Sequence, residues 1–535
     1  MLQNVNETFD YIVIGAGSAG CAVARRLSED PANGVLLLEA GPKDRNIWIH
    51  IPIGYYRNIL SPLSWGYETE PDEGIAGRSI IWPRGKVLGG TSSINGLVYI
   101  RGQKQDYDHW RQLGNKGWGY EDVLPFFKKA EHQERGADAF HGVDGPLKVS
   151  DIPDKREICE AFINAAMEAG IPRNDDFNGA EQEGVGPFQT TSFNGRRCSS
   201  YVGYLKPVEG RANLKIESDA MALKILFEGK RATGIRYRQN GVDKTVSARG
   251  EIIVSGGAIN SPQLLQLSGI GPAALLQEHG LDVVHDSPGV GADLQDHYQS
   301  RLVVRLNRPL SVNDEVNSIA RKAWTGLRYL LFREGPMTFG AGHVCVFTKV
   351  LPQSATPDMQ IHFIPFSATK LGGELHPFPG VTISVCQLRP ESRGEVMIKS
   401  PDPLVHPRIT PNYLSTEYDR QIIVEGLKEA RRIVSHPAFA QHVEMEHEPG
   451  DAAASDEALL AFAREKGNTI FHPTSTCRMG DDKRAVVDER LRVHGVEGLR
   501  VADASIMPTV VSGNTNAPAI MIGEKCAHMI SEDAR

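Results

Sequence analysis

The glycine-rich turn near the start of the chain restricts its fold more than any other feature. An apolar stretch at 11–14 leads into GAGSAG at 15–20, a run of small residues follows, and a second apolar stretch at 35–38 ends at Glu39. This order predicts a strand, a tight turn, a helix and a second strand within about thirty residues. Such a βαβ unit is typical of proteins that bind the pyrophosphate of a dinucleotide.

Each glycine of this motif has its own predicted role. Gly15 permits the tight turn, Gly17 lets the backbone approach a pyrophosphate, and Gly20 lets the helix pack closely on the strand. The helix N-terminus offers N–H groups and a positive dipole end to the phosphates, and Glu39 can accept hydrogen bonds from a ribose. Glycine turns that bind nothing are common, but here every part of the unit occurs in order. The motif alone does not distinguish FAD from NAD.

The composition is that of a globular enzyme with more than one domain. The chain has 535 residues, of which 41% are hydrophobic and 23% charged, and its net charge is −8. Single cores stop growing near about 300 residues, so we expect two or three domains or one interleaved pair. The Lys and Arg residues do not form a cluster of the kind that binds nucleic acid, so we do not expect a nucleic-acid partner. Seven scattered cysteines without a CxxC spacing indicate free thiols instead of disulfides or a zinc site.

The N-terminal sequence and the hydropathy of the chain give an expectation for its location. The first nine residues, MLQNVNETF, lack the basic and apolar regions of a signal peptide. No stretch reaches about eighteen uncharged apolar residues, the length typical of a transmembrane helix. We therefore expect a cytoplasmic protein with at most a peripheral contact at the inner membrane.

Later segments predict how the domains are arranged. The sequence from 250 to 271 predicts a buried strand, a glycine pair and a helix, and 498–508 predicts a short strand that ends in an acidic residue. Between 300 and 465, strands such as 357–366 alternate with helical runs such as 418–435, which is typical of an antiparallel sheet backed by helices.

We therefore predict an α/β fold in which a Rossmann-like nucleotide-binding domain contains an inserted α+β domain. The nucleotide-binding domain is discontinuous and takes residues 1–155, 210–300 and 485–535. The substrate-binding domain takes residues 156–209 and 301–484.

Three longer motifs resemble the glucose-methanol-choline (GMC) oxidoreductases, flavoenzymes that oxidise alcohols. GKVLGGTSSIN at 85–95 is similar to the first signature of that family, and GAINSPQLLQLSGIG at 257–271 is similar to the second. PGVGADLQDH at 288–297 resembles a further family segment, with Asp293 where Asn is more usual. The resemblance covers nearly the whole chain and implies that the nucleotide-binding domain binds FAD.

Within the family the chain is most similar to the choline-dehydrogenase-like branch. DFNGAEQEG at 176–184, RRCSSYVGYLKP at 196–207 and LRVHGVEGLRVADASIMPT at 491–509 resemble bacterial FAD-dependent L-sorbose dehydrogenases. This second resemblance implies a sugar or polyol substrate.

The resemblance to the family also implies which residues contact FAD. Those expected at the cofactor are Gly15, Gly17, Ser18, Ala19, Gly20, Glu39, Ala40, Trp65, Arg84, Leu88, Gly90, Thr91, Ser92, Asn95, Gly96, Leu97, Val98, Ala222, Asp503, Ala504, Asn514, Asn516 and Ala517. Some family members link the flavin covalently through a histidine just before the Asn of the first signature. That position is Ile94 here, so we expect FAD to be bound non-covalently.

His472 and Asn516 are the predicted catalytic residues. The segment FHPTSTCRMG at 471–480 resembles the family segment whose histidine faces flavin N5, and Asn516 stands where we expect the second polar group. An alcohol releases hydride to N5 readily only when its hydroxyl loses the proton, which a neutral imidazole can accept. The Asn516 amide would donate a hydrogen bond to the developing oxyanion.

Other interpretations of these residues remain open from the sequence. A histidine before a proline can simply be a turn residue bonded to backbone, and Asn516 can be a helix N-cap. A metal site shared by His472 and Cys477 lacks a third ligand nearby in the sequence. Aromatic residues in 64–71 and 361–366 can line the substrate or belong to the core.

The predicted function is FAD-dependent oxidation of a primary alcohol, sugar or polyol at a CH–OH group, with a quinone or dye-like acceptor and not NAD. The alternatives are an alcohol oxidase that uses oxygen, a choline dehydrogenase, or a non-redox lyase of the same family. Retention of both His472 and Asn516 disfavours the lyase. The oligomeric state cannot be read from the sequence.

Overall fold

A computed structural model describes residues 3–370 and 372–534, and two large β-sheets organise this part of the chain. Each sheet has its own cluster of buried apolar side chains. The α/β fold with an antiparallel second sheet, predicted from the sequence, is confirmed.

The first sheet is mainly parallel and is built from distant parts of the chain. Its strand order is Leu214–Glu217, Val35–Leu38, Gln3–Ile14, Val242–Val254, Arg231–Gln239 and Ala220–Glu228, and Leu499–Val501 also pairs with Val242–Val254. The pairs that join the first four strands are parallel. All four residues of Val35–Leu38 are buried, as is typical of a strand with both faces covered.

Two helices pack against each other beside the glycine turn of this sheet. Ser18–Leu27 starts directly after the turn, and it packs on the C-terminal helix Asn516–Asp533. A side chain at Gly523 would meet the Ala19 carbonyl oxygen at 2.4 Å, so the two helices approach too closely there for any other residue. Arg26 and Glu524 join them through two hydrogen bonds of 2.7 and 2.9 Å.

The second sheet is antiparallel. Its strand order is Val443–Glu448, Tyr298–Leu306, Gly380–Gln387, Met359–Ile364, Val344–Thr348 and Gly184–Pro187, and Asn468–Thr469 also pairs with Tyr298–Leu306. The helices Glu157–Glu168, Glu417–Val434 and Asp456–Lys466 pack against it. Because helices cover one face, the other face is available to form the wall of a site.

The described residues form further helices and several short strands. Further helices are Ile47–His50, Tyr55–Asn58, Lys104–Gln112, Tyr120–Ala130, Gly257–Leu267, Ala273–Glu278, Val312–Val316, Ile319–Phe332 and Pro437–Ala440. Short strands are Tyr67–Glu68, Ile81–Trp82, Glu131–Gln133, Leu147–Asp151, Gln189–Thr190, Ser192–Phe193, Arg196–Arg197, Ile270–Gly271, His285–Asp286, Glu395–Met397 and Arg408–Thr410. None of the helices in the described ranges is long and apolar enough to cross a bilayer.

The predicted domain boundaries stay a prediction, and one of them falls inside an element. The break placed at 300/301 lies within the strand Tyr298–Leu306. Residues 1, 2, 371 and 535, which belong to the predicted segments, lie outside the described residues. All seven cysteines are buried free thiols, as their spacing indicates.

Candidate functional site

A cavity of about 1610 Å³ lies between the two sheets. One end is formed by the glycine turn after Gln3–Ile14, and the other by strands of the antiparallel sheet. This volume exceeds the roughly 300–1,000 Å³ of a typical single-ligand pocket. The cavity therefore has room for a dinucleotide and a second small molecule.

The glycine turn fits a pyrophosphate. Gly15 has φ +99°, and a Cβ there would meet the Ser255 carbonyl oxygen at 2.5 Å. A Cβ on Gly20 would lie 1.9 Å from the Gly15 carbonyl oxygen, so helix and strand touch there. At Gly17 the nearest atom to such a Cβ is 4.0 Å away, and the space beside it opens into the cavity. The turn is therefore tight at Gly15, closely packed at Gly20 and open to the cavity at Gly17.

Glu39 directly follows the strand Val35–Leu38 and lines the cavity. Its Oε2 accepts a hydrogen bond from Ala16 N at 3.0 Å, and its Oε1 accepts one from Gly41 N at 2.9 Å. Burial raises the pKa of this carboxyl to about 7, although the two N–H donors oppose the shift. The two hydrogen bonds fix the carboxylate and leave further lone pairs on its oxygens, which could accept hydrogen bonds from the hydroxyls of a ribose.

Asp503 forms hydrogen bonds with the second signature region. Its Oδ2 accepts hydrogen bonds from Gly257 N at 2.8 Å and Ser261 Oγ at 2.5 Å. Gly257 and Ser261 lie in the second signature, and the loop 255–258 lines the cavity. This loop is not among the residues predicted from the sequence to contact FAD.

Most of the residues predicted to contact FAD line the cavity, and four do not. Those that do are Gly15, Gly17, Ser18, Ala19, Glu39, Ala40, Trp65, Arg84, Gly90, Thr91, Asn95, Gly96, Leu97, Val98, Ala222, Asp503, Ala504, Asn514 and Asn516. Gly20, Leu88, Ser92 and Ala517 are absent from the cavity wall as far as the described residues form it. Leu88 and Ala517 are core residues, and the Ser92 hydroxyl donates to the Gly89 carbonyl oxygen at 2.5 Å. Leu88 and Ser92 therefore support the loop of the first signature.

His472 is fixed in the cavity wall by its own backbone. Its N–H donates to Asp296 Oδ1 at 2.7 Å. The other oxygen of that carboxylate accepts hydrogen bonds from Thr469 Oγ1 at 2.5 Å and from the Tyr413 hydroxyl. Asp296 comes from the segment that follows the second signature, so this buried carboxylate sets the position of the histidine turn.

The hydrogen bonds of His472 determine which ring nitrogen is free. His297 Nε2 lies 2.9 Å from the Leu388 carbonyl oxygen, and its Nδ1 lies 3.0 Å from His472 Nδ1. A carbonyl oxygen only accepts, so His297 carries its proton on Nε2 and accepts at Nδ1. His472 must then donate from Nδ1, which leaves an unprotonated Nε2.

Both rings are neutral at physiological pH. Burial lowers the pKa of His297 to about 4. Burial, with the neighbouring His297 and Arg84, holds the pKa of His472 well below its ordinary value. The free nitrogen of His472 is therefore a proton acceptor.

The amide that faces this nitrogen belongs to Asn514 and not to Asn516. Asn514 Nδ2 lies 3.2 Å from His472 Nε2, and Asn514 Oδ1 accepts from Gln360 Nε2 at 3.3 Å. Asn516 Oδ1 instead accepts from Ser18 Oγ at 2.7 Å, beside the glycine turn. Asn516 is the first residue of its helix, while Asn514 lies in the preceding turn. The sequence-based pairing of His472 with Asn516 is thus corrected by two positions.

A row of polar side chains lines the other wall of the cavity. Arg301, Ser384 and His362 stand directly opposite one another on three adjacent strands, and all three line the cavity. The Arg301 Nε and His362 Nε2 atoms are buried without a hydrogen-bond partner among the described residues. Burial lowers the pKa of Arg301, and the nearby Tyr55 opposes this. No ion pair of Arg301 occurs within residues 3–370 and 372–534.

Sequence reasoning missed Arg301, His297 and Gln360. His297 ends the third family-like segment at 288–297, so its position was available as a signal. Alternation along Tyr298–Leu306 places Gln299, Arg301 and Val303 on the cavity face, as the period of a strand requires. The segment 361–366 divides in the same way: Ile361 and Phe363 are core, while His362, Ile364 and Phe366 line the cavity.

Comparison with known proteins identifies the family of the chain. Two family profiles, both described as GMC oxidoreductase, match residues 9–299 and 390–523. The chain belongs to the GMC oxidoreductase family.

The curated relatives and solved structures include several proteins matched over nearly their whole length. An alcohol dehydrogenase [acceptor] from Pseudomonas putida is 44% identical over 98% of this chain and 95% of its own. The mitochondrial choline dehydrogenase of Homo sapiens is 43% identical over 98% of this chain and 90% of its own. The structure of an FAD-dependent oxidoreductase from Chaetomium thermophilum has a TM-score of 0.90 and 28% identity, over 98% of this chain and 100% of that one.

Proposed function

We propose that the protein is an FAD-dependent dehydrogenase that oxidises a primary alcohol, sugar or polyol to the carbonyl, with His472 as the general base. The observation that carries this proposal is the position of His472 Nε2, 3.2 Å from the Asn514 amide nitrogen, inside a cavity whose far end fits a dinucleotide. The P. putida and Chaetomium relatives support the class of reaction.

His472 and Asn514 can act on one oxygen atom. Without substrate, the Asn514 amide faces the free nitrogen of His472 across 3.2 Å. A substrate hydroxyl placed between them would donate its proton to His472 Nε2 and accept a hydrogen bond from Asn514 Nδ2. Because Gln360 holds the oxygen end of that amide, the N–H end stays aimed at the substrate.

The proton acceptor and the hydrogen-bond donor have complementary effects. A carbinol loses hydride far more easily as its oxygen approaches an alkoxide, and a positioned base contributes about 10²–10⁴ to such a step. The amide donor stabilises the charge that develops on the oxygen. FAD, when bound, supplies the hydride acceptor. His297 contributes by keeping the proton of His472 on Nδ1, so that Nε2 is free.

The residues before Asn95 support non-covalent binding of FAD. Ile94 stands at the position of the family's covalent histidine and packs in an apolar cluster with Ile49 and Val87. An alkyl side chain cannot form a bond to the flavin. We therefore propose that FAD is dissociable.

The charge of the cavity favours a neutral polyol, such as L-sorbose, over choline. The Arg301 guanidinium, whose Nε has no hydrogen-bond partner among the described residues, lies on the wall that also carries His362 and Ser384. A quaternary ammonium would lie near a like charge in a poorly solvated site, which is unfavourable. Hydroxyl groups can instead accept from Arg301 and exchange hydrogen bonds with Ser384. The segments at 176–184 and 196–207 point to the same substrate class.

The experiment is a substrate panel followed by flavin absorbance under anaerobic conditions. Alkanols, sugars including L-sorbose, other polyols and choline are compared by the rate at which each bleaches the flavin. We expect a neutral alcohol or sugar to give the highest kcat/KM. If choline is the best substrate, the substrate assignment fails while the alcohol chemistry stands; if no alcohol bleaches the flavin, the proposed function fails and a non-redox lyase is favoured.

The same preparation distinguishes a dehydrogenase from an oxidase. We propose a quinone or dye-like acceptor because the P. putida relative is named for an unspecified acceptor. Turnover with a dye should exceed oxygen uptake at saturating substrate. Oxygen uptake that equals dye reduction would make the protein an oxidase.

A further inference from the structure

The helix Ile319–Phe332 presents its apolar side to solvent. Ile319 is 89% exposed, Trp324 60%, Leu327 45%, Leu330 67% and Leu331 63%. These five residues, here called the exposed stripe, are spaced by three to five positions or adjacent, so they share one side of the helix. Phe332 adds a further apolar side chain that is 62% exposed. A patch of this kind on a globular surface marks an interaction site.

The helix is attached to the protein through its other side. Tyr329 is buried, and its hydroxyl donates to the Gly195 carbonyl oxygen at 3.0 Å. Thr325 and Gly326 are only half-buried and face the cavity. The usual arrangement, in which the apolar side of a surface helix packs inward, is therefore reversed.

The charges on this helix are all positive. Residues 319–333 contain Arg321, Lys322, Arg328 and Arg333 and no acidic residue, in a chain whose net charge is −8. Arg328 is paired with Glu334 at 3.0 Å. Arg321 and Lys322 are exposed, and neither forms an ion pair with any residue that the structure describes. A basic helix with Trp, Leu and Phe on its apolar side is typical of helices that lie in the surface of a membrane.

The helix also forms part of the rim of the cavity. Lys322, Thr325 and Gly326 line the cavity, as do Val316 and Asn317 just before the helix. A surface that covers the exposed stripe would therefore lie beside the entrance to the proposed active site.

We propose that the helix Ile319–Phe332 docks the protein on a bilayer that contains anionic lipid, with the exposed stripe in the headgroup region. The positive charge of the helix distinguishes the two possible partners of the exposed stripe, which are a second copy of the chain and an anionic membrane. A second copy of the chain, packed stripe to stripe, would bring two sets of cations together, which is unfavourable. Anionic headgroups would instead be attracted to each Lys and Arg by about 1 kcal/mol, equal to about a fivefold change in binding.

The test is co-sedimentation of the flavin-loaded, full-length protein with vesicles of phosphatidylcholine, with or without about 30 mol% phosphatidylglycerol. We expect binding to the anionic vesicles and little to the neutral ones. The double variant Leu330→Ser, Leu331→Ser should bind at least about tenfold more weakly, because it removes apolar area from the stripe. Arg321→Gln should weaken binding about fivefold and reduce its salt dependence.

A matched control uses exposed apolar residues on other helices and loops. Met167 and Leu113 are 44% and 45% exposed, and the double variant Met167→Ser, Leu113→Ser should bind vesicles like the wild type. Dye-coupled oxidation in solution should be the same in all variants, since none of these residues lines the cavity in its described part.

Three results would overturn the proposal: no binding to anionic vesicles, equal binding by the Leu330/Leu331 variant, or equal loss of binding in the control. Sedimentation velocity without lipid measures whether the stripe binds a second copy of the chain instead. If the protein does not bind vesicles but forms a dimer that the Leu330/Leu331 variant abolishes, the stripe is a self-association surface.

Discussion

Two asparagines that are two residues apart should have separable effects when each is replaced by alanine. Asn514 is the amide that faces His472 Nε2, whereas Asn516 bonds Ser18 near the glycine turn. Asn514→Ala should therefore slow the chemical step and leave cofactor binding intact. Asn516→Ala should weaken cofactor binding and leave the chemical step intact. Each variant is the control for the other, because the side chain lost is the same.

The magnitudes follow from the kind of hydrogen bond that each change removes. Loss of one donor to a developing oxyanion costs about 10²–10³ in rate, so Asn514→Ala should reduce flavin reduction by that factor. Asn516→Ala removes one neutral hydrogen bond, worth about 0.5–1.5 kcal/mol, so the affinity for FAD should fall by about tenfold at most. The rate of reduction per bound flavin should stay within a fewfold of wild type.

Anaerobic stopped-flow reduction by a saturating alcohol measures the first effect, and titration of the apoprotein with FAD measures the second. Both variants are scored per bound flavin, so that loss of cofactor does not appear as a slow reaction. Near-normal reduction in Asn514→Ala together with a large loss in Asn516→Ala would refute the assignment and restore the pairing of His472 with Asn516.

Three further predictions test other parts of the account. Gly17→Val should fold normally, since a Cβ there meets no atom closer than 4.0 Å. It should nevertheless lose FAD, because the valine side chain would occupy the space of the pyrophosphate. A variant of normal stability that keeps its full flavin content would contradict the proposed pyrophosphate site. Acid or heat should release the flavin intact, because Ile94 offers no attachment; flavin that stays with the denatured chain would show a covalent link. Burial lowers the pKa of His472, and the neutral ring is the base. The rate of flavin reduction should therefore not change with pH above 6.5 and should fall only in more acidic buffer. An inflection above pH 6.5 would mean that the ring is not buried as described.

The parts of the fold that sequence predicted best are those fixed by local pattern. The strand Val35–Leu38 coincides with its predicted bounds because four apolar residues lie between a turn and Glu39. Gly15 is required by its positive φ and Gly20 by its close contact with the Gly15 carbonyl oxygen, which leave no room for a side chain. The resemblance to the family added the cofactor and the histidine turn, and the two family profiles confirm the family.

The parts that sequence did not predict depend on contacts between distant segments. The row of Arg301, Ser384 and His362 exists only in one register of three strands, and a shift by one residue would turn each side chain to the other face. The choice between Asn514 and Asn516 depends on the direction in which each side chain leaves the backbone, toward His472 or toward Ser18, which the sequence does not specify. The tautomer of His472 depends on His297 and on the Leu388 carbonyl oxygen, which a motif does not reveal.

The proposed role of His472 as the base is tested most directly by anaerobic stopped-flow reduction of the flavin in His472→Ala. The variant should retain FAD and its fold, because Asp296 is bonded to the backbone N–H of residue 472 and not to its ring. Flavin reduction by a saturating alcohol should be slower than in the wild type by about 10²–10⁴, and its dependence on pH below 6.5 should disappear. Reduction at close to the wild-type rate, with a full complement of flavin, would contradict the account and leave His472 as a residue of the turn alone.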